Sequence, residues 1–298
     1  MVRLFVSSPS KRLVRRLVDL PAIIREHEHH GGPLTYFGLP SEGLYDLKDW
    51  QQYIGRIVAV EKGDPYDPER RQSILLSKAI RLGLSERLIL LRGEVNEIIV
   101  QGQDSVGQKL IYPFELVNLD YGGTLLYPDR LRVEALERFV REQMGSDFLL
   151  LMTLNVREHD PHEIDNTQER IKTEVIQLMP EDAGRVTSYF QRMNDSNSAL
   201  RQITHILYLL KGLAEANHYQ ISWDVPTLYA GSKGTPLIHY VARLSFQHGA
   251  STKVVSAQTL TDILGVRPRI LKGREFRLAE EADLHISQED TRNWRKSS

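Results

Sequence analysis

The chain has 298 residues, 41% hydrophobic and 26% charged, enough to bury a sizeable core in one large domain or two smaller ones. Its net charge of −1 gives no overall pull toward nucleic acid or membrane, so an anionic partner would have to be met by a local basic patch. The absence of cysteine excludes disulfides, thiolate catalysis and Cys-ligated zinc or iron–sulfur centres.

The first element is a basic amphipathic helix from Lys11 to about His30, with Leu13, Leu17 and Leu20 on one face. Around the rest stand Lys11, Arg12, Arg15 and Arg16, a patch able to meet nucleic-acid phosphates. Pro33 to Gly38 is a short buried strand that breaks at glycine, followed by a helix over Tyr45 to Tyr53. Arg56 to Glu61 is a second apolar strand, ending in a carboxylate. A Pro/Asp/Gly-rich loop then leads into a helix from Glu69 to Leu82, whose buried stripe is Ile74, Leu75, Leu76, Ala79 and Ile80. Arg87 to Gly93 is a third strand, Pro113 to Gly123 a fourth and Asp147 to Asn155 a fifth, with a helix from about Pro128 to Met144 before the fifth.

Apolar strands alternating with helices predict a parallel sheet covered on both faces. A helix-rich stretch from Thr167 to Phe190 and a helix from Ser198 to about Asn217 come next. Gln220 to Tyr229 and Pro236 to Phe246 are strand-like, and the joint between them is too short for a helical crossover. The last strand is therefore expected to be antiparallel to its neighbour.

This order of elements resembles the class I S-adenosylmethionine-dependent methyltransferases over roughly Pro33 to Phe246. The resemblance implies a three-layer α-β-α Rossmann-like fold, its mostly parallel seven-stranded sheet carrying a reversed strand at the C-terminal hairpin. The implied organisation is an N-terminal basic helical extension over 1–32 and an α/β domain over 33–248, with a helical insertion at about 160–195. A C-terminal extension and tail follow over 249–298. S-adenosylmethionine is the implied cofactor. The glycine turn matches Phe37 to Gly43, where Gly38 and Gly43 supply permissive backbone, although the usual G-x-G is missing and Pro40 removes an amide donor. Glu61 takes the place of the acid that accepts hydrogen bonds from both ribose hydroxyls, and Glu94 that of a side chain near the adenine amino group.

The fourth strand matches the family's catalytic segment in two registers. Asn118-Leu-Asp-Tyr121 is similar to the Asn/Asp-Pro-Pro-aromatic motif of enzymes that methylate adenine or cytosine amino groups. Asp120-Tyr-Gly-Gly123 is similar to the Asp-Pro-Phe-Gly of enzymes that methylate a guanine amine in transfer RNA. Either implies catalytic Asp120 and Asn118 accepting hydrogen bonds from an amine, with Tyr121 stacking on an extruded base. The expected function is thus methyl transfer to a nucleobase amine in DNA or RNA. The alternatives are a catalytically inactive scaffold or partner-binding protein of the same fold and, less in keeping with Leu39-Pro40-Ser41, a nicotinamide-dependent oxidoreductase.

Asn155, Arg157 and His159 follow the fifth strand and are expected to line the substrate pocket on the same sheet edge. His27, His29 and His30 lie close together with Glu26 and Glu28, but no second motif at fixed spacing supports a metal site. No apolar run reaches membrane-span length and the N-terminal apolar stretch is short for a signal peptide, so a cytoplasmic location without membrane contact is expected.

Overall fold

A computed structural model describes residues 8–40, 43–63, 67–121, 123, 125, 130–143, 145–156, 161–178, 180, 183–196, 198–231, 235–247, 262–272 and 274–280. Helix α1 (Pro9–Val14) is capped by the Ser8 side chain, which accepts from the Lys11 amide. It runs through a π-helical turn (Arg15–Asp19), whose wider loop is closed by the Leu20 amide reaching back to the Arg15 carbonyl, into α2 (Leu20–His30). Gly31, at φ 75°, ends α2 in the left-handed conformation that side chains resist.

There follow β1 (Leu34–Gly38), α3 (Tyr45–Trp50), β2 (Ile54–Glu61), α4 (Pro68–Arg81), β3 (Leu88–Arg92), α5 (Val95–Gln101), β4 (Leu116–Asp120), α6 (Leu131–Glu142) and β5 (Phe148–Asn155). Three helices come next, α7 (Pro161–Leu178), α8 (Ala183–Ser196) and α9 (Ser198–Ala216). The chain then forms β6 (Tyr219–Trp223), β7 (Thr227–Ala230), β8 (Pro236–Phe246), β9 (Arg269–Lys272) and β10 (Glu275–Leu278).

The five parallel strands lie in the order β3-β2-β1-β4-β5, and β8 pairs antiparallel with β5 along its whole length, from Phe148↔Leu244 to Asn155↔Leu237. This is the expected Rossmann-like plan with its reversed strand. The sheet is larger than the seven strands expected: it has ten among the described residues. Two causes add up. The run expected as a single strand over Gln220 to Tyr229 is divided into β6 and β7, which pair with opposite ends of β8. Pro226 lies at the break, where it cannot donate to a ladder, and the pairing moves from Trp223↔Ala242 to Thr227↔His239, leaving one extra residue on this side. The extension beyond residue 249 also contributes β9, parallel to β7, and β10, antiparallel to β9.

Each sheet face has its own core. One is covered by α1 to α4 and contains Val14, Val18, Ala22, Ile23, Leu47, Trp50 and Leu75. The other is covered by α5 to α9, with Ile98, Phe139, Ile171, Phe190 and Leu207 among its buried residues. The N-terminal helix therefore buries Val14 and Val18, while Leu17 is 52% exposed, so its core face is rotated from the Leu13-Leu17-Leu20 face expected.

Candidate functional site at the carboxyl ends of the strands

Alternation along β4 decides where its side chains go. Val117 and Leu119 enter the core under α5 to α9, which leaves Asn118 and Asp120 on the face covered by the N-terminal helix. Asn118 is buried and donates through Nδ2 to Asp46 Oδ2 at 3.0 Å and to the Tyr36 hydroxyl at 3.4 Å. Asp46 in turn pairs with Arg15 at 3.0 Å. Burial raises the pKa of Asp46 from 3.8 to about 6, with the Arg15 guanidinium pulling the other way. Burial likewise holds the Tyr36 hydroxyl well above its ordinary value, assisted by the Asp46 charge. Asn118 is thus built into a buried polar chain.

Asp120 ends the strand about one-third exposed, and its Oδ2 accepts from the Lys11 ammonium. Lys11 and Arg15, two members of the expected phosphate-binding patch, thus face inward onto carboxylates, while Arg12 and Arg16 are exposed. One strand over, Thr153 lies opposite Asp120 in the ladder and shares a 2.8 Å hydrogen bond with His239 Nδ1. His239 Nε2 is 2.6 Å from Asp19 Oδ1 in the π turn. All three are at most 5% exposed. The wider π turn therefore supplies two polar anchors, Arg15 and Asp19, on one helix side.

Tyr121 is placed differently from the expectation. It is 3% exposed, its hydroxyl donates to Asn96 Oδ1 at 3.0 Å, and the Arg132 guanidinium lies 4.9 Å from its ring centre. Burial raises its pKa, so it stays a neutral donor. Its ring joins the core beneath α5 and α6 and is not open for stacking on a base. Gly38 has a packing reason: a Cβ there would overlap the Asn118 carbonyl oxygen of the neighbouring strand, whose oxygen accepts from the Leu39 amide at 3.1 Å. A Cβ on Gly43 would overlap the Tyr45 ring. Residues 41 and 42 of that turn lie outside the described residues.

Glu61 ends β2 with its side chain 11% exposed, Oε1 accepting from the Gly63 amide at 3.1 Å and lying 3.8 Å from Arg71. A carboxylate fixed at this strand end is an acceptor, which fits the donating hydroxyls of a ribose diol. Glu94 stands at the N-cap of α5, just past the end of β3, half-buried and paired with Lys62 at 3.1 Å. Asn155 closes β5 on the face of Thr153 and is 9% exposed. Arg157 and His159 lie outside the described residues. The structure thus brings Glu61, Asn118, Asp120 and Asn155 to one sheet edge. Asp46, Asn96, Arg132 and His239 escaped the sequence reading, and Lys11 was expected to meet phosphates rather than Asp120. The one available signal was a polar residue inside an apolar run, as His239 is in β8 and Asp19 in the helix stripe.

The acidic and histidine-rich end of α2 disperses. Glu26 is buried on Arg243 at 2.8 Å, His27 packs edge-on to Tyr53, and His29 lies 3.8 Å from Asp147. Among the described residues no helix is long and apolar enough to cross a membrane.

No protein-family model matches the chain, and no curated protein matches its sequence. Among solved structures it is similar to an O-methyltransferase from Bacillus cereus in complex with SAH, at 15% identity over 80% of this chain and 83% of that one, with a TM-score of 0.44. It is also similar to the O-methyltransferase TomG from Streptomyces achromogenes in complex with SAM (13% identity, 81% and 82% covered, TM-score 0.43). A third likeness is to a SAM-dependent methyltransferase from Aquifex aeolicus (13% identity, 80% and 94% covered, TM-score 0.37).

Proposed function

We propose that the chain is an S-adenosylmethionine-dependent methyltransferase that holds an acceptor amine on Asp120. The observation that carries this reading is the arrangement of one sheet edge. A fixed acid, Glu61, ends β2, and a partly exposed carboxylate, Asp120, already in contact with an ammonium, ends β4 two strands away. Ligands of open α/β sheets bind in the crevice beyond such strand ends.

In this reading Glu61 would hold the ribose, and residues after Gly38 would meet the amino-acid end of the cofactor. The cofactor supplies an electrophilic methyl group on a sulfonium. Asp120 accepts an N–H of the acceptor and so orients the nitrogen lone pair away from itself. Asn118 supports this indirectly, because its amide is committed to Asp46 and Tyr36.

The acceptor suggested by the strand-end motif is a nucleobase amine, with exposed Arg12 and Arg16 as groups for the phosphates. Buried Tyr121 leaves the stacking half of that idea to some other ring. A second reading, a scaffold without activity, is favoured by one observation: Lys11 occupies the carboxylate that an acceptor needs.

Isothermal titration with S-adenosylmethionine and its demethylated product separates the two. Saturable one-to-one binding, weakened at least about tenfold in Glu61→Ala by loss of its hydrogen bonds to the ribose, supports the enzyme. Absence of heat at millimolar ligand supports the scaffold.

A further inference from the structure

We infer that β3, the outermost parallel strand, pairs antiparallel with β3 of a second copy of the chain about a two-fold axis, with Ile89 of one copy opposite Ile89 of the other.

The strand order puts β2 on one side of β3 and, among the described residues, no strand on the other. Two observations fix which backbone groups point outward. The Gly93 amide donates to the Glu61 carbonyl of β2 at 3.3 Å. Arg92 turns the other way: its amide donates to Asp104 Oδ2 at 2.9 Å and its carbonyl accepts from the Ser105 amide at 3.0 Å. Backbone direction alternates along a strand, so Ile89 and Leu91 bond toward β2 while Leu88 and Leu90 turn their N–H and C=O groups outward. Among the described residues nothing is bonded to Leu88 or Leu90 on that side.

These groups set the register. A two-fold pair centred on Ile89 places Leu88 opposite Leu90 of the second copy, and Leu90 opposite its Leu88, so that each outward pair exchanges both of its hydrogen bonds. Centring on Leu90 would set Leu88 against Arg92, whose groups are already taken. The register centred on Ile89 also brings Glu86, exposed just before the strand, toward the exposed Arg92 of the second copy. Symmetry makes that attraction twice.

The composition of the strand and the surface beside it agree. Leu88-Ile-Leu-Leu91 holds no charge, proline or bulge, the devices that blunt an edge strand, and Leu88, Ile89 and Leu90 are only half-buried. By contrast β10, at the far end of the sheet, carries Glu275 and Arg277 within four residues. Helix α4, the crossover from β2 to β3, buries Leu75 and Ala79 but leaves Leu76 41% and Ile80 66% exposed, although all four belong to its apolar stripe. A two-fold axis normal to the sheet places α4 of both copies side by side on one face, where these residues meet. Leu88 and Leu90 lie on that face and Ile89 on the other. The carboxyl strand ends of the two copies then point in opposite directions and stay open.

Sedimentation velocity of the full chain tests the pairing, and a species of twice the chain mass is expected at micromolar concentration. Leu90→Pro removes an outward N–H that the monomer does not use; edge strands tolerate proline, so the circular dichroism of the folded chain is kept and the dimer is lost. Ile80→Glu, on the helix surface, weakens the dimer at least about tenfold by burying a charge at the junction. Arg92→Glu weakens it about tenfold by setting like charges together, and adding Glu86→Arg restores the affinity to within about threefold of wild type. Should Leu90→Pro fail to fold, these surface variants decide alone.

The chain has no cysteine, so a single introduced thiol reads the register. Opposed Cα atoms of a non-hydrogen-bonded antiparallel pair lie about 4.5 Å apart, within reach of a disulfide. Ile89→Cys is therefore expected to form a covalent dimer on oxidation, and Leu90→Cys, which faces Leu88, is not. A monomer at every concentration, with the strand left bare or to another protein, overturns the inference. So does a dimer indifferent to Ile80→Glu and Arg92→Glu, or one that forms a disulfide in Leu90→Cys but not in Ile89→Cys.

Discussion

Burial of Asp46 beside Arg15 leaves the desolvation of its carboxylate incompletely offset, and the result is a titration that can be measured. Its pKa is raised from 3.8 to about 6. Between those values the folded chain keeps a proton that the unfolded chain has released, so native stability falls as pH rises through the window. The contribution is present in full below the unfolded value and is lost above about 6. Asp46→Asn has no such ionisation. Wild-type stability relative to Asp46→Asn should therefore fall by about 2 kcal/mol between about pH 4.5 and about pH 7.5 in urea denaturation series. A difference that stays flat over that range would mean that Asp46 is ionised throughout in the folded protein. Asn118 was visible in the sequence as a polar residue near a strand end, but its partners were not. Tyr36 and Asp46 are 82 and 72 positions away in sequence, and only the strand order brings them together.

The N-terminal helix shows how an element's role depends on what it packs against. Its sequence has the composition of a surface helix, and the expected face of leucines was wrong because the π turn and the sheet select Val14, Val18, Ala22 and Ile23 as the buried side. Charges that looked available to phosphate are partly turned inward, because the strand ends beneath offer Asp120 and Asp46. The contact between Asp19 and His239 spans 220 positions and ties this helix to β8. Asp19→Ala would leave the His239 Nε2 without its buried partner and is expected to destabilise the chain by about 2 kcal/mol in equilibrium denaturation. A loss below about 0.5 kcal/mol, the size usual for an indifferent surface change, would contradict an anchoring role. The five parallel strands were legible because each is a short apolar run bounded by turn residues. Strands β9 and β10 were not, because four-residue strands with half-exposed charged positions leave almost no periodic signal.

For the whole molecule, the parallel series and its reversed neighbour place one row of strand ends along a single edge. The extra strands lengthen the sheet on the opposite side, past β8, and leave that edge untouched. Position along the edge gives Glu61 and Asp120 their proposed roles, and no local motif would do so alone. The expected glycine turn at Gly38 is explained by contact with Asn118, so the cofactor reading depends on Glu61 more than on glycine. A crystal structure of the chain grown with S-adenosylhomocysteine tests this most directly. The predicted result has the ribose hydroxyls hydrogen-bonded to the Glu61 carboxylate and the sulfur facing the Asp120 side of β1. A ligand-free crevice at saturating S-adenosylhomocysteine, or a ribose held elsewhere with Glu61 still turned onto Gly63 and Arg71, would contradict it.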